Sequence, residues 1–289
     1  MFRLRSGLLI LALSVPELGT EEKPTGKPTP AAQQYQSLAK AYQDTMQTYS
    51  EAVGKAKTYE ERLKVFDENY PKPEKLAPKF LELAEKYPQD PVALDSLIWI
   101  VTNNIRSPVR SPAREKAVAI LIREHAQSER LGQVCPNLAN GYDEESALLL
   151  RAILEKNPSK DVQAEACLAL SQHYGRRLEI AQRLNDNGET LRGFTRAYGE
   201  EAVERLKKAD RANLAAQGER FCKQLADNYF GRVKPDRIAQ LCQTLSYSTD
   251  KVSESLLRTL LEKDSRGDVQ GVVSLTLAQV LKKIGRAHV

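Results

Sequence analysis

Apolar residues recur three and four positions apart through almost the whole chain, the spacing that gathers them on one face of an α-helix. Tyr35, Leu38, Tyr42, Met46, Tyr49 and Val53 form one such stripe, and Tyr59, Leu63 and Phe66 continue it. The spacing predicts an amphipathic helix from Ala31 to about Asn69, broken near Gly54. Leu76, Phe80, Leu83 and Ala84 form a second stripe; Leu94, Leu97, Ile98 and Val101 form a third. That third helix is apolar on most sides, which places Trp99 in the interior. Prolines punctuate these stripes at Tyr70-Pro71-Lys72-Pro73, Tyr87-Pro88-Gln89-Asp90-Pro91, Arg106-Ser107-Pro108 and Ser111-Pro112. Pro88 has no N–H to donate and stops one helix. Asp90 caps the next, with Pro91 in the first turn, where the missing donor costs nothing. Ser111-Pro112 uses the same device. Short helices joined by short turns predict stacked α-hairpins.

The chain also matches itself. Residues 131–176 align with 238–283 without a gap at an offset of 107, and 17 of the 46 pairs are identical. Leu149-Leu150-Arg151-Ala152-Ile153-Leu154-Glu155-Lys156 pairs with Leu256-Leu257-Arg258-Thr259-Leu260-Leu261-Glu262-Lys263, and Asp161-Val162-Gln163 recurs as Asp268-Val269-Gln270. Each copy predicts a helix ending at Cys135–Leu138 or Cys242–Leu245. A second helix is opened by Asp143 or Asp250, and a third by Asp161 or Asp268, with the aspartates as N-caps. Such a unit cannot bury its apolar stripe alone and needs stacked neighbours. The fold class expected is therefore all-α, an α-solenoid of tetratricopeptide- or HEAT-like hairpins.

The N-terminus departs from this pattern. Arg3 and Arg5 precede the apolar run Leu8–Leu13, and Ser14, Pro16 and Gly19 follow, which predicts a secretory signal over residues 1–19, too short to span a bilayer. Residues 20–30 carry three prolines and no anchoring apolar residue, and read as a flexible tether. Residues 31–175 form the first helical-repeat region. Residues 176–217 form a charged helical connector with a mobile loop at Gly188 and a boundary between halves. Residues 218–286 form the second region, holding the second copy. The expected location is the periplasm or cell envelope, or the cytoplasm if the N-terminus is not a signal. Nothing in the mature chain reads as a membrane span.

Composition narrows the function. The net charge of +5 arises from 43 basic and 38 acidic residues interspersed along the chain, so there is no basic stripe to neutralise a phosphate backbone and nucleic acid is excluded as a partner. Four cysteines, Cys135, Cys167, Cys222 and Cys242, stand at spacings that carry no motif. Cys135 and Cys242 are equivalent in the two copies and flanked by Val134 and Leu138 or by Leu241 and Leu245. They read as small buried hydrophobes and, in an oxidising compartment, as the two thiol candidates. Cys167 corresponds to Ser274, so a Cys135–Cys167 disulfide would have no counterpart. Three scattered histidines offer no metal site; His173 corresponds to Val280. The Ser-x-x-Lys matches Ser37–Lys40 and Ser248–Lys251 lack companion motifs. Arg151–Glu155 and Arg258–Glu262 read as surface pairs or inter-helix ties, with ligand binding by the arginines as the alternative. No cofactor and no catalytic constellation is expected.

The segment from Tyr70-Pro71-Lys72-Pro73-Glu74-Lys75-Leu76-Ala77-Pro78 through Phe80-Leu81-Glu82-Leu83-Ala84-Glu85-Lys86 to Asp90-Pro91 and Leu97-Ile98-Trp99 resembles the helical region that precedes the thioredoxin-fold domain of exported bacterial redoxin proteins of the thiol-disulfide reductase family. Leu149 to Gln163 and Ala166-Cys167-Leu168-Ala169-Leu170 resemble it as well. The resemblance implies an accessory role, because the chemistry of that family belongs to the thioredoxin-fold domain. This chain has neither a Cys-x-x-Cys nor a β-rich C-terminal half. The expectation is a non-catalytic exported scaffold for protein–protein interaction. Two alternatives stand beside it: a redox-linked accessory that docks a thioredoxin-fold partner or uses Cys135 and Cys242, and a self-associating envelope component.

Overall fold

The computed structural model describes residues 28–103, 111–184, 191–195, 199–229, 231–246 and 251–287. The signal expected over residues 1–19 and the loop expected at Gly188 lie outside them. Among the described residues the chain is all-helical, with no strand. No helix there is long and apolar enough to cross a membrane.

Helix α1 (Pro30–Lys55) is opened by Thr29, whose hydroxyl accepts from the Ala32 N–H at 3.1 Å and donates to Asp90 Oδ2 at 3.1 Å. The end of the segment read as a tether is therefore a cap fixed to the rest of the fold. The break before α2 (Tyr59–Asn69) falls after Lys55, beside Gly54, where the spacing predicts it. Thr58 and Glu61 form a capping box that starts a new helix there. Helices α3 (Ala77–Lys86) and α4 (Pro91–Asn103) pack on each other and on α1. Aromatic rings make that contact. Phe80 stacks on Trp99 with centroids 3.9 Å apart, and Tyr35 and Tyr42 meet those two rings edge-on. Asp90 caps α4 through the Val92 N–H, and Ser111 caps α5 (Pro112–Ile120) through the Arg114 N–H, as the proline marks predict.

A π-helical turn, Leu121–His125, extends α5. A 3-10 stretch, Glu129–Val134, then leads into α6 (Cys135–Ala139), followed by α7 (Glu144–Lys156) and α8 (Lys160–Arg183). Next come α9 (Glu200–Lys207), α10 (Arg211–Asn228), α11 (Pro235–Leu245), α12 (Lys251–Lys263) and α13 (Gly267–Ala287). Helices α7 and α12 start and stop 107 positions apart, and so do the starts of α8 and α13. Where the two matched segments differ, a residue explains it. Pro136 cannot donate and crowds the preceding turn, so a 3-10 stretch precedes Cys135, whereas Gln243 stands at the equivalent place and α11 is one α-helix. Of the four aspartate caps expected, Asp250 lies outside the described residues and Asp268 stands inside the first turn of α13 rather than capping it. Asp143 caps α7 through the Ser146 N–H, but α8 is capped by Ser159, with Asp161 in the first turn, where its charge meets the helix dipole.

Among the described residues, packing continues across the connector read at 176–217. Helix α8 runs on to Arg183, and α10 packs against both α8 and α12. At Gly218 a Cβ would lie 2.7 Å from a Val252 methyl, so only glycine lets α10 approach α12 this closely. Buried side chains from Ala77 on α3 to Val280 on α13 form one contiguous cluster.

The turns between α7 and α8 and between α12 and α13 share a hydrogen-bonding device. Asn157 Oδ1 accepts from the Ser159 N–H at 3.1 Å, and Asp264 Oδ1 accepts from the Arg266 N–H at 3.0 Å. The Gln163 amide donates to the Asn157 carbonyl at 2.6 Å, and the Gln270 amide to the Asp264 carbonyl at 2.8 Å. Asn157 Nδ2 also donates to the carbonyls of Ala126 and Ser128. Asp264 has no such donor, and Arg266 supplies it: its guanidinium binds the Asp264 carboxylate and donates to the Val233 carbonyl, 107 positions beyond Ala126, at 3.1 Å. Those bonds to Arg266 hold the Asp264 carboxyl below its usual range although the residue is buried. Asn157→Asp alone should therefore bury an unpaired charge and orphan two carbonyls, lowering stability by about 3 kcal/mol. Adding Ser159→Arg should restore much of that loss, less about 1 kcal/mol for the lost cap. Urea melts of the two variants check both steps.

Candidate functional site

Helices α7, α8 and α10 leave an open cleft of about 370 Å³ between them. Glu144 and Arg151 stand seven residues apart on α7, two turns along one face. Tyr174 and Arg177 face them from α8, and Asn213 and Arg220 from α10. The Glu144 carboxylate accepts from Arg151 and, at 2.8 Å, from Arg177. Burial works against its charge, and the bonds from Arg177 and Arg151 outweigh burial, holding the carboxyl below its usual range. Arg151 also donates to the Tyr174 hydroxyl at 2.7 Å. The Tyr174 ring stacks on Phe221 of α10 with centroids 5.8 Å apart, which ties the cleft floor to its wall. Arg177 Nε is buried with no hydrogen-bond partner, and Arg220 is exposed beside the Phe221 ring. Three guanidinium groups thus face two carboxylates, Glu144 and Asp210, and leave the cleft one positive charge. Planar guanidinium donors grouped in this way suit carboxylate or phosphate oxygens.

A buried polar layer supports the cleft. Arg114 donates to Asp143 Oδ1 and to the Ser146 hydroxyl, both at 2.8 Å. Burial opposes the Asp143 charge, and the Arg114 guanidinium overcomes it, so the carboxyl stays ionised. His173 is fully buried nearby, against the Leu138 backbone. Burial, then the charge of Arg177, pushes its pKa down to about 4 against the pull of Asp143, so the imidazole is neutral in neutral solution.

The arginine pairings expected from local spacing are not those found. Arg151 binds Glu144 and Tyr174 rather than Glu155, and Arg258 binds Glu254 at 2.8 Å rather than Glu262. Helical side chains lean toward the helix N-terminus, so an arginine reaches back along its helix more readily than forward. Tyr174, Arg177 and Arg220 had no local signal, because only tertiary packing brings them to α7.

The thiol candidates Cys135 and Cys242 are both buried, Cys135 at the start of α6 and Cys242 on α11, and all four cysteines are free thiols. Burial, with the charge of Glu165, pushes the Cys135 thiol up. Burial also raises Cys242 and takes Cys167, next to Cys222, up to about 12. Among the described residues no group of three His, Cys, Asp or Glu side chains could hold a metal ion. No family model, curated protein or solved structure matches the chain.

Two outcomes follow from these environments. The unfolded chain takes up a proton on His173 near pH 6.5 and the folded chain only near pH 4, so stability should fall as the pH drops through that window, by on the order of 3 kcal/mol. His173→Val, the residue buried at the equivalent Val280, should fold and flatten the fall in melting temperature over that range. A thiol reagent should label none of the four cysteines in the folded protein and all four after denaturation, read by mass spectrometry.

Proposed function

We propose that the chain is a non-catalytic α-solenoid scaffold, exported to the periplasm or envelope, that binds a protein partner bearing a carboxylate-rich segment at the α7–α8–α10 cleft. The observation that carries the reading is the cleft itself, where Arg151, Arg177 and Arg220 converge beside Tyr174 with one positive charge in excess. Glu144 supports it from within, since an acidic side chain already takes two of the three guanidinium groups. The common helix boundaries of the two matched segments, and their shared turn device, support the repeat architecture. An accessory that docks a thioredoxin-fold protein remains within this reading as a choice of partner; its thiol-using form is disfavoured by the burial of Cys135 and Cys242.

The test is affinity capture from the source cell envelope with mild crosslinking, using the wild-type chain and Arg220→Glu, each with and without reductant. Arg220 is exposed, so the reversal should leave the thermal melt unchanged. The reading expects one reproducible partner under both redox conditions, bound about tenfold more weakly by Arg220→Glu and more weakly still as salt rises. A partner held equally by both proteins would place binding elsewhere, and one recovered only without reductant would make the link a mixed disulfide.

A further inference from the structure

Helices α8 and α13 begin 107 positions apart and share sequence, yet one is buried all round and the other is not. On α8, Ala164, Cys167, Leu168 and Tyr174 are buried, and α10 lies against that helix: Cys167 Sγ bonds the Phe221 carbonyl, Tyr174 stacks on Phe221, and the Tyr229 hydroxyl donates to Gln163. The equivalent positions on α13 are Gly271, Ser274, Leu275 and Leu281, and all are exposed. Leu275 is 63% exposed where Leu168 is 1%, and Val272 beside it is 40% exposed. Large apolar side chains set in a row of small residues suit the close approach of a second helix, as α10 approaches α8.

The charges on this face say which helix. Asp268, Leu275 and Lys282 are spaced seven apart, with Gly271, Ala278 and Gly285 between or beyond them at positions three further on, and all six are exposed. This is an a/d stripe with an acid at one end, a base at the other and its largest side chain in the middle. Laid antiparallel on a copy of itself about a two-fold axis at Leu275, the stripe sets Asp268 of each chain against Lys282 of the other. Leu275 then meets its own mate across the axis, and glycine and alanine flank it. A parallel pairing would oppose like charges at both ends. Such self-complementarity is what an isologous contact requires.

We infer that α13 is a homodimerisation surface, and that two copies of this chain pair antiparallel through Asp268, Gly271, Leu275, Ala278 and Lys282. The inference is independent of the arginine cleft, since it concerns this chain alone. A single helix pair lies at the small end of specific interfaces, so the dimer dissociates on dilution, with a Kd on the order of 10–100 μM.

Sedimentation equilibrium of the full chain, at concentrations from about 1 to 500 μM to bracket that constant, should move from the 32.4 kDa monomer to twice that mass. Leu275→Glu and Asp268→Lys should each stay monomeric throughout; Leu275→Glu should leave the thermal melt unchanged because the site is exposed, and Asp268→Lys, in the first turn of α13, should lower it only slightly. The charge swap Asp268→Lys with Lys282→Asp should dimerise again. A single 32.4 kDa species at every concentration overturns the inference. So does a dimer that survives Leu275→Glu, or a charge swap that fails to restore association lost in Asp268→Lys.

Discussion

The side chain of Asn157, 1% exposed in the turn between α7 and α8, is the contact on which the rest of the structure depends. Its amide binds the carbonyls of Ala126 and Ser128 and so ties the turn to the end of the π-helical extension of α5. Its own carbonyl oxygens hold the start of α8. A neutral amide does this well because it donates and accepts at once and carries no charge to desolvate. The angle that follows brings Glu144 and Arg151 on α7 opposite Tyr174 and Arg177 on α8. A slip of one residue in the α8 register would turn Tyr174 and Arg177 by about 100° and separate them from α7. The cleft is therefore a consequence of the turn.

The same turn in the second segment reaches the same geometry by other chemistry. Asp264 replaces the amide with a carboxylate, and Arg266 both neutralises it and supplies the bond to the Val233 carbonyl. The two backbone contacts that define the turn, at residues 159 and 163 or 266 and 270, persist. What differs is the outer surface of the helix that follows. Helix α8 has Ala164, Cys167 and Ser171 under α10, while α13 carries Gly271, Ser274 and Ala278 in the open. Small residues are retained at these places although burial is not, which is the physical reason to read α13 as a surface for another helix rather than a solvated face.

Local chemistry was legible in the sequence. Asp90-Pro91, Ser111-Pro112 and Asp143 cap helices because a cap needs only a side-chain oxygen two or three residues before the N–H it satisfies. Trp99 was readable as buried from the apolar breadth of its own helix. What failed depended on competition or on distance. Ser159 and Asp161 both suit the opening of α8, and the turn geometry gives the cap to Ser159. The connector at 176–217 reads as a boundary because its charges are many, yet α10, which begins in it at Arg211 and runs past its end, has Leu214, Phe221, Cys222 and Leu225 on one stripe buried against α8 and α12. The cleft was the least legible part. Arg151 carries a local signal, but its partner Tyr174 lies 23 residues away and its partner Glu144 one turn further back than pair spacing suggests.

The energetics of the cleft limit what it can do for a partner. An exposed ion pair is worth about 0.2–1 kcal/mol, and Glu144 already occupies Arg151 and Arg177, so an incoming carboxylate must share or displace a resident one. Two or three such contacts cannot supply the roughly 8 kcal/mol of a micromolar complex after the cost of association. For the partner proposed, the arginines would therefore set selectivity and speed the approach, and the remaining affinity would have to come from apolar contact along neighbouring helices. Pairing two chains through α13 would offset part of this weakness. Two clefts held at a fixed separation bind a partner with two acidic segments far more tightly than either alone, without any new contact in the cleft.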